Sequence, residues 1–482
     1  MLPDLLSLYH TMPGPARQAV VRMRGEYLRW LRYGPETEAL VSEAATRESW
    51  TADQWRTWQE GRLAEVLSDA ARHVPYYRDA WAARRRRGER SDVEQLANWP
   101  TLDKEALRAA PRAFLSERPG AWRLAEHTSG STGKPLDLWW SLAAVRYIFA
   151  MHEAYCSRWY GVSRHDPWAM LGGQLVVPAR RTEPPFWVWN AALNQLYMSS
   201  YHLAPQYVAA YCEAIERHGV RFVAGYTSSL YQLALAVLES GRPRLRLAVA
   251  VTHAEAVAPH QREAISEAFG CDVCETYGNA EAVSRASACR HRTLHLWPQV
   301  GVVETVDGDG QPVVAGPGDL LCTGLQNPAM PLVRYAIGDR ARLAPDGEAC
   351  HCGRSLPILA SVDGRVEDTL YSRDGRAIQR FHAVPIGVSA VREVQVVQET
   401  LERIRLRVVA SAAYAPADER RLAERLRDRV GDVDVVFERL AAIPREPNGK
   451  FKAVVCLLPE GERRRQHASR RAAPVATDVN QS

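Results

Sequence analysis

The stretch HTSGSTGKPL, residues 127–136, holds side chains that suit the binding of a phosphate group. Gly130 and Gly133 allow the backbone to approach an anion closely, so that several N–H groups can surround it. The same loop supplies hydroxyl donors and one cation, from Thr128, Ser129, Ser131, Thr132 and Lys134. It departs from the Walker pattern, because a threonine replaces the first glycine and a proline follows the lysine. Taken alone, the stretch fits phosphate binding and an ordinary surface turn equally well.

Four later stretches carry further residues that could act on a nucleotide. ETYGNAE and RYAIGD each end a strand-like run with a turn that contains a carboxylate, Glu281 in the first and Asp339 in the second. DGRVEDTL places Arg365 directly after a glycine, and PREPNGKFK puts Lys450 in a tight Asn-Gly turn. Each stretch alone could be a solvent-exposed turn. The argument for a shared site therefore rests on their order and separation along the chain.

Together, these five motifs resemble the adenylate-forming superfamily of acyl-CoA synthetases, adenylation domains and luciferases. The stretches HVPYYRDAW, WPTLDKEALR, GYTSSLY and LNQLYMSSYHL are similar in particular to phenylacetate–coenzyme A ligases and to CapK-like proteins of capsular polysaccharide biosynthesis. The resemblance extends from about residue 60 to residue 457, which is most of the chain. It implies an acid–thiol ligase of the EC 6.2.1 type. Such an enzyme uses ATP to activate a carboxylic acid as its acyl-adenylate, releases pyrophosphate and transfers the acyl group to coenzyme A.

The resemblance also implies which residues act on the phosphates and on the substrate. The loop at 128–134 would hold the β- and γ-phosphates of ATP, with Lys134 neutralising their charge. Glu281 would coordinate Mg²⁺, which commonly takes one or two carboxylates together with phosphate oxygens. Lys450 would contact both the substrate carboxylate and the nucleotide, a role that suits a compact ammonium group. Glu367 occupies the family's hinge position, which is usually Asp or Lys, so its hinge role is less secure.

The nucleoside part of ATP would be bound by the remaining motif residues. By resemblance, Tyr277 stacks on the adenine, next to Gly278. Asp339 accepts hydrogen bonds from the two ribose hydroxyls, for which a carboxylate is the natural partner. Arg365 contacts the ribose or a phosphate. For each of these side chains the competing interpretation is an ordinary strand edge, turn or surface ion pair.

Two stretches that contain cysteine and histidine, ACRHRTLHLWP and EACHCGRSLP, suit a structural zinc ion. Cys289 and His295 are six positions apart, and Cys350 and Cys352 are two apart. Thiolate and imidazole are zinc ligands, and four protein ligands make a closed structural site. Several relatives of the phenylacetate ligases carry a similar arrangement. A cluster of thiols without metal is the alternative.

Other cysteines and histidines leave two questions open. His291 and His351 could each replace one of the four named zinc ligands. Cys271 and Cys274 form a CxxC motif, which invites a redox interpretation. The strand-like run CDVCETYG instead favours core or strand-edge positions, because a thioredoxin-like motif should open a helix.

The order of the apolar segments predicts an α/β fold with two domains. Residues 1–120 have helical periodicity and form the first part of a large domain. Residues 121–364 alternate strand-like and helix-like segments, which is typical of mixed and parallel sheets with ligands at the C-terminal ends of strands. Residues 365–460 predict a small α+β unit, and the resemblance implies that this unit is a mobile C-terminal lid domain. Residues 461–482 are polar and basic without periodicity, and we expect them to be disordered.

Composition excludes several other classes of protein. The chain has 482 residues, 46% apolar and 24% charged, with a net charge of +5, as in ordinary globular proteins. Its short arginine runs lack the interleaved aromatics of a nucleic-acid interface, so we expect no nucleic-acid partner. No secretory signal and no apolar run of the ~18 residues that span a membrane are evident. Nine cysteines fit a reducing compartment, and we expect a cytoplasmic protein.

The acyl acceptor, the acid and the oligomeric state are not determined by the sequence. An amine or a hydroxyl could replace coenzyme A, which would make an amide- or ester-forming ligase of polysaccharide or secondary metabolism. A catalytically silent nucleotide-binding relative is a third possibility, and a homodimer is open. Trp187, Trp189 and Tyr226 give a weak indication of an aromatic or bulky acid.

Overall fold

The structure is a computed structural model. It describes residues 9, 12–89, 92–118, 122–127, 136–173, 176–178, 181–313, 316–345, 347–365, 370–373, 377–378, 384–385, 388, 390–446 and 451–459. Helices and strands follow one another there in the α/β pattern expected from the sequence. No helix in these ranges is long and apolar enough to cross a membrane.

Helices dominate the N-terminal part of the chain. Local sequence signals explain several of their boundaries. Thr51 and Gln54 form a reciprocal capping box at the start of the third helix, and Pro75 begins the fourth helix directly after the third has ended. The helices are α1 Gly14–Arg32, α2 Thr37–Arg47, α3 Ala52–His73, α4 Pro75–Arg86 and α5 Lys104–Ala109.

An eight-stranded sheet forms the centre of the large domain. Its strands are β3 Trp168–Gly172, β4 Trp187–Asn190, β5 Gln195–Ser199, β6 Phe222–Tyr226, β7 Val249–His253, β8 Asp272–Gly278, β9 Arg285–Ala288 and β10 Leu294–Leu296. Their order is β10-β9-β8-β7-β6-β3-β5-β4. The five strands from β8 to β5 in that order are parallel, whereas β4, β9 and β10 pair antiparallel to their neighbours. The parallel strands are therefore flanked by an antiparallel edge on each side.

Helix α6, Leu142–His152, precedes β3 in the chain. Three further helices connect β5 to β6, β6 to β7 and β7 to β8, and these are α7 Val208–Arg217, α8 Thr227–Glu239 and α9 Pro259–Phe269. One apolar core joins the N-terminal helices to one face of the sheet, and a second core packs α7, α8 and α9 against the other face. The C-terminal ends of β6, β7 and β8 consequently meet at one edge, where a ligand site is expected.

A second, antiparallel sheet follows the central one in the chain. It contains β11 Gly301–Val306, β12 Gly318–Gly324, β13 Tyr335–Leu343 and β14 Leu359–Arg365 in sequential order. It approaches the central sheet very closely at Gly301, where a Cβ atom would lie 1.9 Å from the carbonyl oxygen of Val283. Glycine is therefore required at this contact. A separate hairpin, β1 Arg123–His127 and β2 Asp137–Ser141, flanks the glycine-rich loop.

The small C-terminal unit has its own sheet and core. Its sheet order is β19-β18-β17-β20, from β17 Val391–Gln398, β18 Arg403–Ala410, β19 Asp434–Arg439 and β20 Val454–Cys456. Helix α10, Pro416–Val430, packs on this sheet, and a short ladder pairs β15 Leu370–Tyr371 with β16 Ala377–Ile378. The two strands, helix and strand expected over residues 391–439 are thus present. The division of the chain at residue 364 stays a prediction.

Candidate active site and metal centre

The residues expected to bind the nucleoside lie at the edge where β8 ends. The Tyr277 hydroxyl, near the end of β8, donates a hydrogen bond of 2.8 Å to Oδ2 of Asp339 on β13. Burial, and then the neighbouring Asp339 carboxylate, raise the pKa of Tyr277 well above its usual value. The hydroxyl therefore stays protonated and orients a carboxylate that is only 9% exposed. The two residues are 62 positions apart in the chain and belong to different sheets.

Glu281 lies one short turn beyond β8 and is 8% exposed. Its Oε1 atom accepts a hydrogen bond of 2.9 Å from the Tyr335 hydroxyl. Asn279 holds the turn, because its side chain accepts from the backbone N–H of Val283 and donates to the Ser284 hydroxyl. No cation of the described part of the chain pairs with Glu281. A buried carboxylate of this kind suits Mg²⁺, and Glu281 would hold it.

The strand that carries Asp339 continues the site towards the C-terminal unit. Gly338 has φ +82°, a left-handed conformation that glycine adopts without strain, and it directly precedes the aspartate. In the ladder between β13 and β14, Asp339 lies opposite Arg365. The backbone of Arg365 is therefore next to the backbone of Asp339. Its side chain lies outside the described part of the structure, and the role proposed for it stays a prediction.

Several expected site residues lie outside the described residues. They are Thr128, Ser129, Gly130, Ser131, Thr132, Gly133, Lys134, Glu367 and Lys450. The elements on either side of the loop are described, and His127 at the end of β1 pairs with Asp137 at the start of β2. Phe451 follows Lys450 and is described as well. The functions of all nine residues remain predictions.

A group of nitrogen-bearing side chains near the same edge was not anticipated from the sequence. Burial lowers the pKa of His152 to about 3, and the charges of Arg285, His253 and Arg32 act in the same direction. His152 is therefore neutral near pH 7. The Nε atom of Arg285 is buried without a described hydrogen-bond partner. These residues come from α1, α6, β7 and β9 and follow no spacing that a sequence could reveal.

The aromatic residues considered for the acyl site separate in the structure. Tyr226, at the end of β6, lies 5.5 Å from the ring of His253. Trp187 and Trp189 lie on the edge strand β4, which β5 and β3 separate from β6 in the sheet. Trp187 packs edge-on against Tyr211, and Trp189 stacks on His218 at 4.6 Å. Their contacts are with α7 and the turn that follows it, so they do not support the indication of an aromatic acid.

The four expected zinc ligands converge. The ligand atoms of Cys289, His295, Cys350 and Cys352 all lie within 4.8 Å of one another. The Sγ atoms of Cys289 and Cys350 are 3.7 Å apart, and Sγ of Cys352 is 3.3 Å from Nε2 of His295. Ligands about 2.0–2.3 Å from a tetrahedral zinc would be separated by similar distances. Neither His291 nor His351 belongs to this group of described side chains.

The surroundings of His295 favour its use as a metal ligand. Its Nδ1 atom faces the carbonyl oxygen of Leu356 at 3.4 Å, which directs Nε2 towards the thiols. Burial lowers the pKa of His295 to about 4, so the imidazole is neutral and can donate a lone pair. The donor set therefore fits zinc. Cys274, by contrast, is buried in β8 and Cys271 precedes that strand, as expected for core and strand-edge positions.

Comparison with known proteins gives the fold a name. The chain is similar to 2-hydroxyisobutyryl-CoA ligase in the postadenylation state with R3-HIB-AMP, at 20% identity and a TM-score of 0.66, over 89% of this chain and 94% of that one. The chain has the adenylate-forming ligase fold. The same ligase in its thioesterification state, with 2-HIB-AMP and CoA, gives a TM-score of 0.50. The α/β fold class and the resemblance found from the motifs are confirmed.

Sequence comparison points to two groups within the adenylate-forming fold. The CapK C-terminal domain model matches residues 370–456. Protein CapK of Staphylococcus aureus is 24% identical over 82% of this chain and 88% of its own length. A phenylacetate-coenzyme A ligase of Thermus thermophilus is 26% identical over 89% of this chain and 100% of its own length. Both groups named from the sequence motifs are therefore among its relatives.

Proposed function

We propose that this chain is an ATP-dependent acid–coenzyme A ligase. The observation that carries the proposal is the placement of Tyr277, Asp339 and Glu281 at the ligand-binding edge of an adenylate-forming fold. A buried carboxylate oriented by a tyrosine hydroxyl can accept hydrogen bonds from a vicinal diol, and a second buried carboxylate lies at the adjacent turn. Ribose and metal-bound phosphate are the partners that these two groups fit.

In the first half-reaction, an oxygen of the substrate carboxylate attacks the α-phosphorus of ATP, and the bond to pyrophosphate breaks. Asp339 holds the ribose, and Lys450 contacts the carboxylate and the nucleotide. The loop at 128–134 binds the departing β- and γ-phosphates. Glu281 would hold Mg²⁺, which would supply positive charge to neutralise the phosphates. In the second half-reaction the thiol sulfur of coenzyme A attacks the acyl carbon, its proton is lost, and AMP leaves.

We also propose that Cys289, His295, Cys350 and Cys352 hold a structural zinc ion. Four protein ligands leave no open position for a substrate, so the metal would stabilise the fold without taking part in the reaction. The ligands come from the β9–β10 hairpin and from the turn between β13 and β14. Such an ion would connect the two sheets that carry Tyr277 and Asp339.

Acid-dependent exchange of labelled pyrophosphate into ATP tests the proposed reaction. A panel of hydroxy, aryl and fatty acids is offered to the full-length protein with Mg²⁺, and products formed with coenzyme A are identified by mass spectrometry. We expect at least one acid to support both exchange and thioester formation. Exchange without thioester, together with amide or ester formation from added amines or alcohols, would identify a different acceptor. Nucleotide binding without exchange for any acid would contradict the proposal.

A further inference from the structure

The side chain of Glu255 lies where three parts of the molecule meet. Glu255 follows β7 in the chain. Its Oε2 atom accepts a hydrogen bond of 2.7 Å from the backbone N–H of Ser228, at the start of α8, and its Oε1 atom accepts one of 3.1 Å from the Ser228 hydroxyl. The same Oε1 atom accepts a hydrogen bond of 2.8 Å from the backbone N–H of Phe451 in the C-terminal unit. The Thr227 hydroxyl donates to the Glu255 carbonyl oxygen. One carboxylate thus connects β7, α8 and the segment that follows Lys450.

Hydrogen-bond donors surround the carboxylate of Glu255 and oppose the effect of its burial. Burial raises the pKa of Glu255, while the hydrogen bonds from Phe451 and Ser228 and the charge of Arg445 oppose that rise. The first turn of α8 also favours a negative charge, because its free N–H groups and the helix dipole point towards the carboxylate. Removal of the Phe451 N–H would leave Oε1 with one described donor instead of two. The contact between the units is therefore favourable for a charged Glu255.

Among the described residues, two other polar contacts join the units, and they lie further along α8. Gln232 donates 3.0 Å to Glu393, and Glu239 pairs with Arg392 at 2.6 Å on the exposed side. These contacts hold β17, whereas Glu255 holds the segment before β20. Only Glu255, among these contacts, binds the residue directly after Lys450.

The Phe451 N–H belongs to the peptide bond that joins Phe451 to Lys450 in the chain. Its hydrogen bond to Glu255 holds the beginning of segment 451–459 against the large domain. The ring of Phe451 also lies under the Arg445 guanidinium, 4.8 Å from its centroid, and Arg445 pairs with Glu393. Phe451 is therefore held by contacts with its own domain as well as with the large domain.

We propose that Glu255 is a positioning residue that holds Phe451, the residue after Lys450 in the chain, against the large domain for acyl-adenylate formation. The proposal rests on the proposed function, since it assigns Glu255 to one of the two half-reactions. Glu255 itself does not act on the substrate. It acts through the backbone of Phe451, and so its removal affects the step that needs Lys450.

Two variants of the full-length protein test this role by kinetics. Glu255→Ala should lower kcat for acid-dependent pyrophosphate exchange about ten- to a hundredfold, with KM for ATP and acid changed less than threefold. Thioester formation from supplied acyl-adenylate and coenzyme A should be unchanged or faster, which also shows that the variant is folded. Glu255→Gln keeps one acceptor oxygen and should lose less activity. Equal loss in both half-reactions, or no loss in exchange, would overturn the proposal.

A control and a second measurement separate this proposal from the proposed function. Glu239→Ala removes the ion pair with Arg392 in the same interface, and both half-reactions should stay within twofold of the wild type. Amide hydrogen exchange of the peptide that contains Phe451 should become faster in Glu255→Ala and not in Glu239→Ala. That measurement needs no turnover. If the wild type shows no acid-dependent exchange, the proposed function fails, whereas unchanged protection of Phe451 would refute the role of Glu255.

Discussion

Single side chains determine how the proposed nucleotide site is built. Tyr277 was expected to contribute a ring surface, and the structure adds a second role, because its hydroxyl bonds to the carboxylate expected to hold the ribose. In the same way, the Tyr335 hydroxyl donates a hydrogen bond to the carboxylate of Glu281. In both pairs a tyrosine donates to a buried carboxylate, which limits the directions available to the remaining lone pairs. The carboxylates are therefore oriented before a ligand binds.

Tyr277→Phe should weaken AMP binding by about tenfold while keeping the aromatic ring. The reason is that a hydrogen bond to a charged group contributes ~1.5–3 kcal/mol, and ~1.4 kcal/mol is a tenfold change in affinity. Tyr277→Ala should weaken binding further, since the ring is lost as well. Calorimetric titration with AMP measures both. Tyr201→Phe, which removes an exposed hydroxyl that donates to the Gly173 carbonyl, is the control. Wild-type affinity in Tyr277→Phe would contradict the orienting role.

Thr132→Val should slow acyl-adenylate formation about ten- to a hundredfold if its hydroxyl binds a phosphate oxygen in the transition state. ATP affinity should fall, and AMP affinity should not, because AMP has no β- or γ-phosphate. Calorimetry with both nucleotides decides the matter. Thr46→Val on the exposed side of α2 serves as the matched control. A parallel loss of AMP and ATP affinity would mean that the loop binds something other than pyrophosphate.

The sequence predicted the identity of individual residues better than their contacts. Tyr277 and Asp339 could be named from motifs, yet their hydrogen bond joins two sheets and is invisible to local patterns. Glu255 could not be found, because a single glutamate after a strand has no distinguishing spacing. The zinc ligands were an exception. Few residue types bind zinc, so chemistry restricted the choice, and the four predicted side chains converge in the structure.

At the scale of helices and strands, periodicity predicted the parallel part of the central sheet well. Buried runs such as β6 and β7 are almost entirely apolar, and amphipathic helices separate them, so both signals agree. The antiparallel strands at the edges of this sheet were harder to predict from the sequence. β9 and β10 are short, and their pairing depends on the neighbouring β8 and on the segment around Ile358. Tertiary contacts, not local preference, establish these strands.

Replacing two of the four converging ligands should destabilise the elements that they join. Cys350→Ser with Cys352→Ser should abolish the expected content of about one zinc per chain and lower Tm by ~5 °C or more, since metal binding at a closed site contributes to folding free energy. Elemental analysis and thermal unfolding are the measurements. Cys271→Ser changes a half-buried thiol outside the group and should keep the metal. Wild-type protein that contains no zinc after metal-free purification would disprove the metal site.

For the whole molecule, the relative position of the two domains matters as much as either fold. The sequence suggested a mobile lid from a resemblance, but the contacts that hold it could not be inferred. Among the described residues, Gln232, Glu239 and Glu255 of the large domain bond to Glu393, Arg392 and Phe451 of the C-terminal unit. These contacts are polar, as expected for a contact between domains that move relative to each other. The proposed activity in two steps would require such contacts to break and re-form.

The cysteine and histidine cluster also has a consequence for how the chain reaches its native state. His295 and Cys350 are separated by 55 positions, which include β11, β12 and β13. Closing a loop of that length costs conformational entropy, and formation of the antiparallel sheet brings its ends together. We therefore expect the four ligands to meet after the sheet has formed. A zinc ion that binds at this late stage would stabilise the folding intermediate in which the sheets have already assembled. We expect refolding from denaturant to give a higher yield of native protein with equimolar zinc than with a chelator, as judged by recovered AMP binding. Equal yields would show that the sheets assemble without help from the metal.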